Sequence, residues 1–229
     1  MRLASDAKAG FYPIDPLVIQ QIATHLTAPH GGRVCDPCAG EAAALLTLAD
    51  RLRLSPFGNE LNQARASHAA QAVTTWLEQQ HAHSLPHNDK RPTRIFQTDI
   101  RRLRTSDAAF NLLYLNPPYA DDATDRRLEL TFLRQSRRWL QPHGILVYVV
   151  PQHILRLKET ASYLASYFDE IKVRRHPAEQ RHFGEITLFA RYRPRTVTPA
   201  ADTVAWLQAI GRQDPSTPLP ALGDDPFNY

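Results

Sequence analysis

LLYLNPPY, residues 112–119, is the stretch on which the prediction of the fold depends. It begins as an apolar run long enough for a buried strand and stops at two prolines. Because neither Pro117 nor Pro118 can donate a backbone hydrogen bond, the strand must end near Asn116. An amide side chain, a free carbonyl and an aromatic ring therefore follow the carboxyl end of a strand. In open α/β sheets, that edge is where ligands bind.

The tetrapeptide from Asn116 to Tyr119 resembles the catalytic motif of S-adenosylmethionine-dependent amino-methyltransferases, best known in the DNA adenine-N6 methylases. The resemblance implies that the Asn116 side-chain oxygen and the Pro117 carbonyl each accept one N–H of an exocyclic amine. Pro118 keeps Pro117 extended, so its carbonyl is held rigidly. Tyr119 would stack on a planar substrate, a contact worth roughly 1–3 kcal/mol. The alternative is a strand-ending turn with an incidental tyrosine.

A glycine-containing loop lies between a predicted strand and a predicted helix at residues 33–49. It resembles the methyltransferase loop Asp-Pro-x-x-Gly-x-Gly, which implies that Asp36, Pro37 and Gly40 bind the cofactor. The helix that follows offers unpaired N–H groups suited to a carboxylate. Ala42 stands where the final glycine is usual, so its methyl group must fit against the cofactor or against the neighbouring strand.

Two further strands are predicted to end in acids, at residues 54–60 and 95–100. Glu60 lies 24 residues after Asp36, a spacing typical of an acid that binds a ribose. The resemblance implies that Asp99 receives the adenine amino group of the cofactor and that Ile100 packs on the adenine ring. A solvated turn glutamate and an exposed strand-end aspartate are the alternatives.

Two more segments acquire a role only through the resemblance. Residues 10–28 predict a helix that begins at Pro16 with Asp15 as its cap, and Tyr12 and Pro13 just before it would touch the methionine half of the cofactor. Phe183, in a loop between two late strands, could cover the target base. An ordinary N-terminal helix is the alternative for the first segment.

Composition and charge limit the possible classes of protein. The chain has 229 residues, is 43% hydrophobic and can form one sizeable α/β domain. No apolar stretch approaches the ~18–20 residues of a membrane span, and no signal peptide is visible, so a soluble cytoplasmic protein is predicted. The net charge of +4 permits a polyanionic partner without requiring one.

Neither the cysteines nor the histidines predict a metal site. Cys35 and Cys38 have the C-x-x-C spacing of a redox pair or half a zinc site, but a second such pair is missing. They are interpreted as small buried or half-buried residues. Three histidines at residues 81–87 lie in a polar stretch that is typical of a solvated loop.

Alternation of strands and helices over residues 33–192 predicts a doubly wound, mostly parallel, Rossmann-like α/β sheet with an antiparallel last strand. We expect an N-terminal cofactor-flanking segment (1–30), a methyltransferase domain (31–193) and a proline-rich tail (194–229). A helix is predicted over residues 128–140, a turn at 141–144 and a buried strand at 145–151. The tail is expected to pack loosely or to dock along the surface.

The order of these motifs resembles the class of adenine-N6 DNA methylases in which the cofactor motifs precede the catalytic one, and also small uncharacterised methylase-like proteins of bacteria and mobile elements. The resemblance covers about residues 10–192 and implies methylation of adenine N6 in DNA. Methylation of RNA or of a protein glutamine is the alternative, and a non-catalytic binding protein is a further one, suggested by Ala42. A separate target-recognition domain has no room here, so a partner subunit or a second copy is expected to supply recognition.

Overall fold

The structure, a computed structural model, describes residues 13–81, 94–119, 127–180 and 184–229. Within these ranges, seven strands form one sheet in the order β3-β2-β1-β4-β5-β7-β6. The strands are β1 (Arg33–Asp36), β2 (Ser55–Asn59), β3 (Ile95–Phe96), β4 (Phe110–Leu115), β5 (Leu140–Pro151), β6 (Phe168–Arg175) and β7 (Glu185–Tyr192).

Helices cover both faces of this sheet. They are α1 (Pro16–Thr24), α2 (Ala43–Leu52), α3 (Gln63–His81), α4 (Leu128–Ser136), α5 (Lys158–Tyr167) and α6 (Ala201–Gly211), with 3₁₀ turns at Arg137–Trp139, Gln152–Arg156 and Ala178–Gln180. Apolar residues of α1, α2 and α3 form one core with one face of the sheet. Those of α4, α5 and α6 form a second core on the opposite face. The predicted doubly wound architecture is therefore confirmed.

The predicted antiparallel last strand is also confirmed. β7 lies between β5 and β6 and runs antiparallel to both, whereas β1 to β5 pair in parallel. The chain moves outward from β1 to β3 on one side, then returns to place β4 on the other side of β1. The strand order reverses at this point, so a crevice opens at the carboxyl ends of β1 and β4.

Three predicted boundaries differ from the structure. The strand predicted at 95–100 has only two residues, because the chain turns at Asp99, whose carbonyl accepts from the Arg102 N–H. The helix predicted at 128–140 ends at Ser136. The Trp139 carbonyl accepts instead from the Ala109 N–H, just before β4, and β5 begins directly afterwards. The predicted turn at 141–144 is therefore contained within β5.

The proline-rich tail docks on the domain. α6 buries Leu207 and Ile210 completely. Its last residue, Gly211, approaches the Arg156 backbone so closely that an added Cβ would lie 2.0 Å from the Arg156 nitrogen. Residues 220–222 then pair with the end of β6, where the Leu222 N–H donates to the Arg175 carbonyl at 2.9 Å. The tail thereby covers part of the edge of the sheet, which would otherwise expose unpaired backbone groups.

The end of the tail reaches the α1 face through a buried histidine. His25 Nε2–H donates to the Leu222 carbonyl at 2.7 Å, and its Nδ1 accepts from the Phe227 N–H at 3.3 Å. Burial lowers the pKa of His25, with Arg174 and Lys172 adding to the effect. The neutral ring satisfies both hydrogen bonds at once.

We expect Leu222→Ala to lower the free energy of unfolding by about 2–5 kcal/mol, because the side chain is fully buried in the α1–α3 core. Urea denaturation measures this change. Val197→Ala is the matched control, since Val197 is 40% exposed and should shift stability by less than about 0.5 kcal/mol. Equal effects of the two substitutions would contradict the docked tail.

In the part of the chain that the structure describes, no helix combines the length and the apolar character needed to cross a bilayer.

Candidate active site

A cavity of about 580 Å³ opens at the carboxyl ends of β1, β2 and β4, a volume suited to a small-molecule ligand. Nine of the residues predicted from the sequence to form a site line it together: Pro13, Asp36, Pro37, Glu60, Asp99, Ile100, Asn116, Pro117 and Pro118. Gly40 and Tyr119 are described but do not line the cavity. The predictions for Tyr12 and Phe183 fall outside the described residues.

The loop between β1 and α2 requires two left-handed residues. Gly40 has φ 54° and Ala42 has φ 69°. Glycine adopts this conformation without strain, whereas an alanine there costs roughly 1–2 kcal/mol. The Ala42 methyl is completely buried in the α1–α3 core and does not line the cavity. The alanine that replaces the final glycine of the loop therefore does not fill the cavity.

The start of α2 can accept an anion. Ala42 caps this helix without any side-chain hydrogen bond, and the next two residues, Ala43 and Ala44, line the cavity. The first N–H groups of a helix have no partner within the helix, and they carry the positive end of its dipole. A ligand carboxylate can bind there.

Glu60 holds the loop in place. Its carboxylate accepts from the Gly40 N–H at 3.0 Å, from the Asn62 N–H at 2.8 Å and from the Arg65 guanidinium at 2.9 Å. The side chain is only 7% exposed. A ribose hydroxyl at the predicted position would thus bind a carboxylate that is already oriented, and it would share that carboxylate with Arg65.

Asp99 is similarly paired with an arginine. Arg101 binds it through its guanidinium at 2.7 Å and through its backbone N–H at 2.9 Å. These contacts lower the pKa of Asp99. The carboxylate is therefore ionised near neutral pH and can accept a hydrogen bond from an amino group.

Asp36 differs from these two acids, because no cation pairs with it among the described residues. It is 2% exposed and accepts one hydrogen bond, from the Cys38 N–H at 2.9 Å. Burial raises the pKa of Asp36 from 3.8 to about 7, and the charge of Glu60 adds to the rise. A buried carboxyl without a counter-ion favours a positively charged ligand, whose charge would stabilise the ionised form.

The tetrapeptide follows β4 directly, as predicted. β4 ends at Leu115, and Pro117 is buried. The Tyr119 hydroxyl donates to the Asn116 side-chain oxygen at 2.8 Å. An amide oxygen has two lone pairs, so Asn116 can accept a second hydrogen bond from a ligand. The contact holds the amide in one orientation at the cavity wall.

Sequence reasoning missed most of the apolar lining. Leu61 is 65% exposed and lines the cavity directly after Glu60. Leu128 and Phe132, spaced four residues apart on α4, also contribute and join Ile100, which the sequence had predicted. Such an exposed apolar surface suits a flat ring. The i, i+4 spacing was visible in the sequence, but which space it faces depends on how α4 packs.

The cysteines are free, and Cys35 is buried while Cys38 is partly exposed, in agreement with their interpretation as small packing residues. Burial and the nearby Asp36 raise the pKa of both thiols. Cys38 lines the cavity, but as a protonated thiol it is a weak nucleophile.

Comparison with known proteins identifies the family. Residues 1–226 match the model of an uncharacterised methyltransferase family, DUF6094. The chain belongs to this family. No curated protein matches the sequence.

Solved structures agree with the methyltransferase fold. A protein from Listeria monocytogenes, described as a class I S-adenosylmethionine-dependent methyltransferase, aligns with TM-score 0.61 and 13% identity over 81% of this chain and 61% of that one. The methyltransferase subunit of a type I restriction-modification system from Streptococcus thermophilus aligns with TM-score 0.56 and 15% identity over 90% and 54%. M. jannaschii TYW2, solved in complex with S-adenosylmethionine, aligns with TM-score 0.53 and 13% identity over 82% and 80%. The family member thus spans less than two thirds of the first two structures.

S-Adenosylmethionine is the cofactor named for the Listeria monocytogenes and M. jannaschii proteins, and the residues that line the cavity of the family member fit it. The first turn of α2 suits its carboxylate, and the unpaired Asp36 suits its positive charge. Glu60 and Asp99, which the sequence predicted to bind the ribose and the adenine, line this cavity together with the apolar side chains of Leu61 and Ile100.

Proposed function

We propose that this protein is an S-adenosylmethionine-dependent N-methyltransferase that acts on the exocyclic N6 amine of adenine in DNA. One observation carries the proposal. Asn116, Pro117 and Pro118 line the same cavity as Asp36, Glu60 and Asp99, so the motif proposed to bind the amine shares one space with the residues predicted to bind the cofactor.

Each protein group has a definite part in this proposal. The cofactor, when bound, supplies an electrophilic methyl group. The Asn116 oxygen and the Pro117 carbonyl accept the two N–H groups of the amine and hold its nitrogen lone pair toward the cavity. The Tyr119 hydroxyl fixes the Asn116 amide, and the proline rings keep the turn rigid.

Exposed arginines support a nucleic-acid substrate. Arg101, Arg102 and Arg104 follow Asp99 on the surface, and Arg101 also lines the cavity. Together with the net charge of +4, they favour a phosphate backbone near the cavity. The order of the motifs, which resembles that of adenine-N6 DNA methylases, favours DNA over RNA.

Recognition of a DNA sequence is proposed to require a partner subunit or a second copy of this chain. An adenine in duplex DNA must be flipped out of the stack, which costs a few kcal/mol. Contacts that offset this cost would come from the partner. Methylation of RNA or of a protein glutamine stays the alternative, because the same two acceptors can bind any primary amine or amide nitrogen.

Transfer from tritiated S-adenosylmethionine to separate pools of DNA, RNA and protein tests the proposal. We expect label in DNA that digests to N6-methyladenine, with more label in single-stranded DNA than in duplex DNA because no flipping is needed. Label found only in RNA or only in protein would contradict the DNA assignment. Label in no pool, despite cofactor binding, would favour a non-catalytic binding protein.

A further inference from the structure

Tyr114 lies beside Asp36 on the floor of the cavity. β1 and β4 pair in parallel with Val34 opposite Leu112 and Cys35 opposite Leu113. The next step of this register places Asp36 opposite Tyr114. Side chains alternate between the two faces of a strand, so Tyr114 projects to the same face as Asp36 and, two residues later, Asn116.

The Tyr114 hydroxyl is buried without a partner. The side chain lines the cavity and the residue is 1% exposed, yet its hydroxyl makes no hydrogen bond within the described part of the chain. Burial raises the pKa of Tyr114 well above 10, and the charge of Asp36 adds to the rise, so the hydroxyl stays protonated. A buried hydroxyl without a partner destabilises a protein, and a phenylalanine would fill the same space without that penalty.

The neighbours of Tyr114 indicate which part of a ligand would meet this hydroxyl. Tyr114 packs in the same core cluster as Ala42 and Leu45, at the start of α2. The first turn of that helix suits a carboxylate, and Asp36 suits a cation. An α-amino acid carries both groups on one carbon. A tyrosine hydroxyl, which can donate and accept at once, matches such a zwitterion.

We infer that the Tyr114 hydroxyl binds the amino-acid end of the cofactor, together with Asp36 and the first turn of α2. This inference rests on the proposed function only in that the cavity must bind S-adenosylmethionine. Tyr114 is then a binding residue for a zwitterionic α-amino acid group, and it makes no contact with the reacting amine.

The test is Tyr114→Phe with three ligands, measured by calorimetry. S-Adenosylmethionine and S-adenosylhomocysteine carry the amino-acid end, whereas 5′-methylthioadenosine lacks it. We expect the variant to bind the first two about 10- to 100-fold more weakly than the wild type, as for a lost hydrogen bond to a charged group. Its affinity for 5′-methylthioadenosine should be unchanged. Without ligand, the variant should melt at least about 2 °C higher, because an unpaired buried hydroxyl is gone.

Tyr148→Phe is the matched control. Tyr148 is also completely buried, and its hydroxyl also has no partner among the described residues. It belongs to the core on the opposite face of the sheet and does not line the cavity. This variant should gain thermal stability in the same way while its affinity for all three ligands stays at the wild-type value.

Three results would overturn the inference. Unchanged affinity of Tyr114→Phe for S-adenosylmethionine would show that the hydroxyl does not bind the cofactor. Equal losses for all three ligands, or a lower melting temperature without ligand, would show that Tyr114 supports the fold instead. A wild-type protein that binds none of the three ligands would overturn the proposed function itself. The measurement on the wild type therefore distinguishes failure of the proposed function from failure of the inference about Tyr114.

Discussion

Asn116→Ala is expected to lower kcat for methyl transfer by about 100- to 1,000-fold, while the dissociation constant for S-adenosylmethionine stays nearly unchanged. The Asn116 oxygen is one of the two acceptors proposed to hold the amine, and alanine has no acceptor. Losing one preorganised polar group at a reacting centre commonly costs about 10²–10³ in rate. Single-turnover transfer to the polymer that accepts label, with calorimetry for the cofactor, measures both quantities.

Two further substitutions distinguish a direct role in holding the amine from a role in positioning Asn116. Asn116→Asp keeps an acceptor oxygen and should retain more activity than the alanine variant. Tyr119→Phe removes only the hydroxyl that donates to Asn116 at 2.8 Å, so it should reduce kcat less than Asn116→Ala and leave the ring in place. If Asn116→Ala weakened cofactor binding as much as transfer, Asn116 would be a structural or cofactor-binding residue, and its proposed part in holding the amine would be wrong.

Asp36→Asn is expected to weaken binding of S-adenosylmethionine by about 100-fold while stabilising the protein without cofactor. Asparagine can still accept from the Cys38 N–H but cannot pair with a cation. Loss of one partner from a buried, charge-assisted contact costs about 1.5–3 kcal/mol or more. Calorimetric titration of wild type and variant measures the loss of affinity.

The stability effect of Asp36 depends on pH in a defined direction. Its pKa is 3.8 in the unfolded chain and about 7 in the folded protein, so the folded state holds a proton that the unfolded state has lost. The free energy of unfolding therefore falls as pH rises from about 4 to about 7, by about 4 kcal/mol at most. Asp36→Asn should match the wild type near pH 4 and exceed it increasingly up to pH 8, as urea denaturation at several pH values would show.

Cofactor affinity of the wild type should vary with pH in the opposite sense. A positively charged ligand prefers the ionised carboxylate, so the affinity should rise by about tenfold for each unit of pH up to about 7 and then level off. Glu41→Gln is the control, because Glu41 also lines the cavity but its side chain is 53% exposed. A cofactor affinity that does not change from pH 6 to 8 would contradict the proposed pairing of Asp36 with the positive charge of the cofactor. A loss of affinity in Glu41→Gln equal to that in Asp36→Asn would also contradict it.

The local sequence pattern was sufficient to predict the fold and the edge of the sheet at which the cavity opens. Two prolines after an apolar run end a strand whatever surrounds them, so the end of β4 at Leu115 was predictable. The alternation of apolar strands with amphipathic helices likewise predicted the doubly wound sheet. Residues such as Asp36, Glu60 and Asp99 were found because each lies at or shortly after the end of a strand, and the carboxyl ends of parallel strands meet at one edge.

The sequence by itself therefore determined the architecture, the edge that carries the cavity and a few of the polar residues that line it, because these follow from periodicity and from where strands stop. Only the tertiary structure decided which charges are compensated. Arginines pair with Glu60 and Asp99, whereas Asp36 is left with a raised pKa beside the unpaired hydroxyl of Tyr114. It also decided that the Ala42 methyl points into the core and that the proline-rich tail docks. The physical reason is that burial and charge pairing depend on contacts between residues that are far apart in the chain. A local sequence pattern does not show which of these residues are close in space.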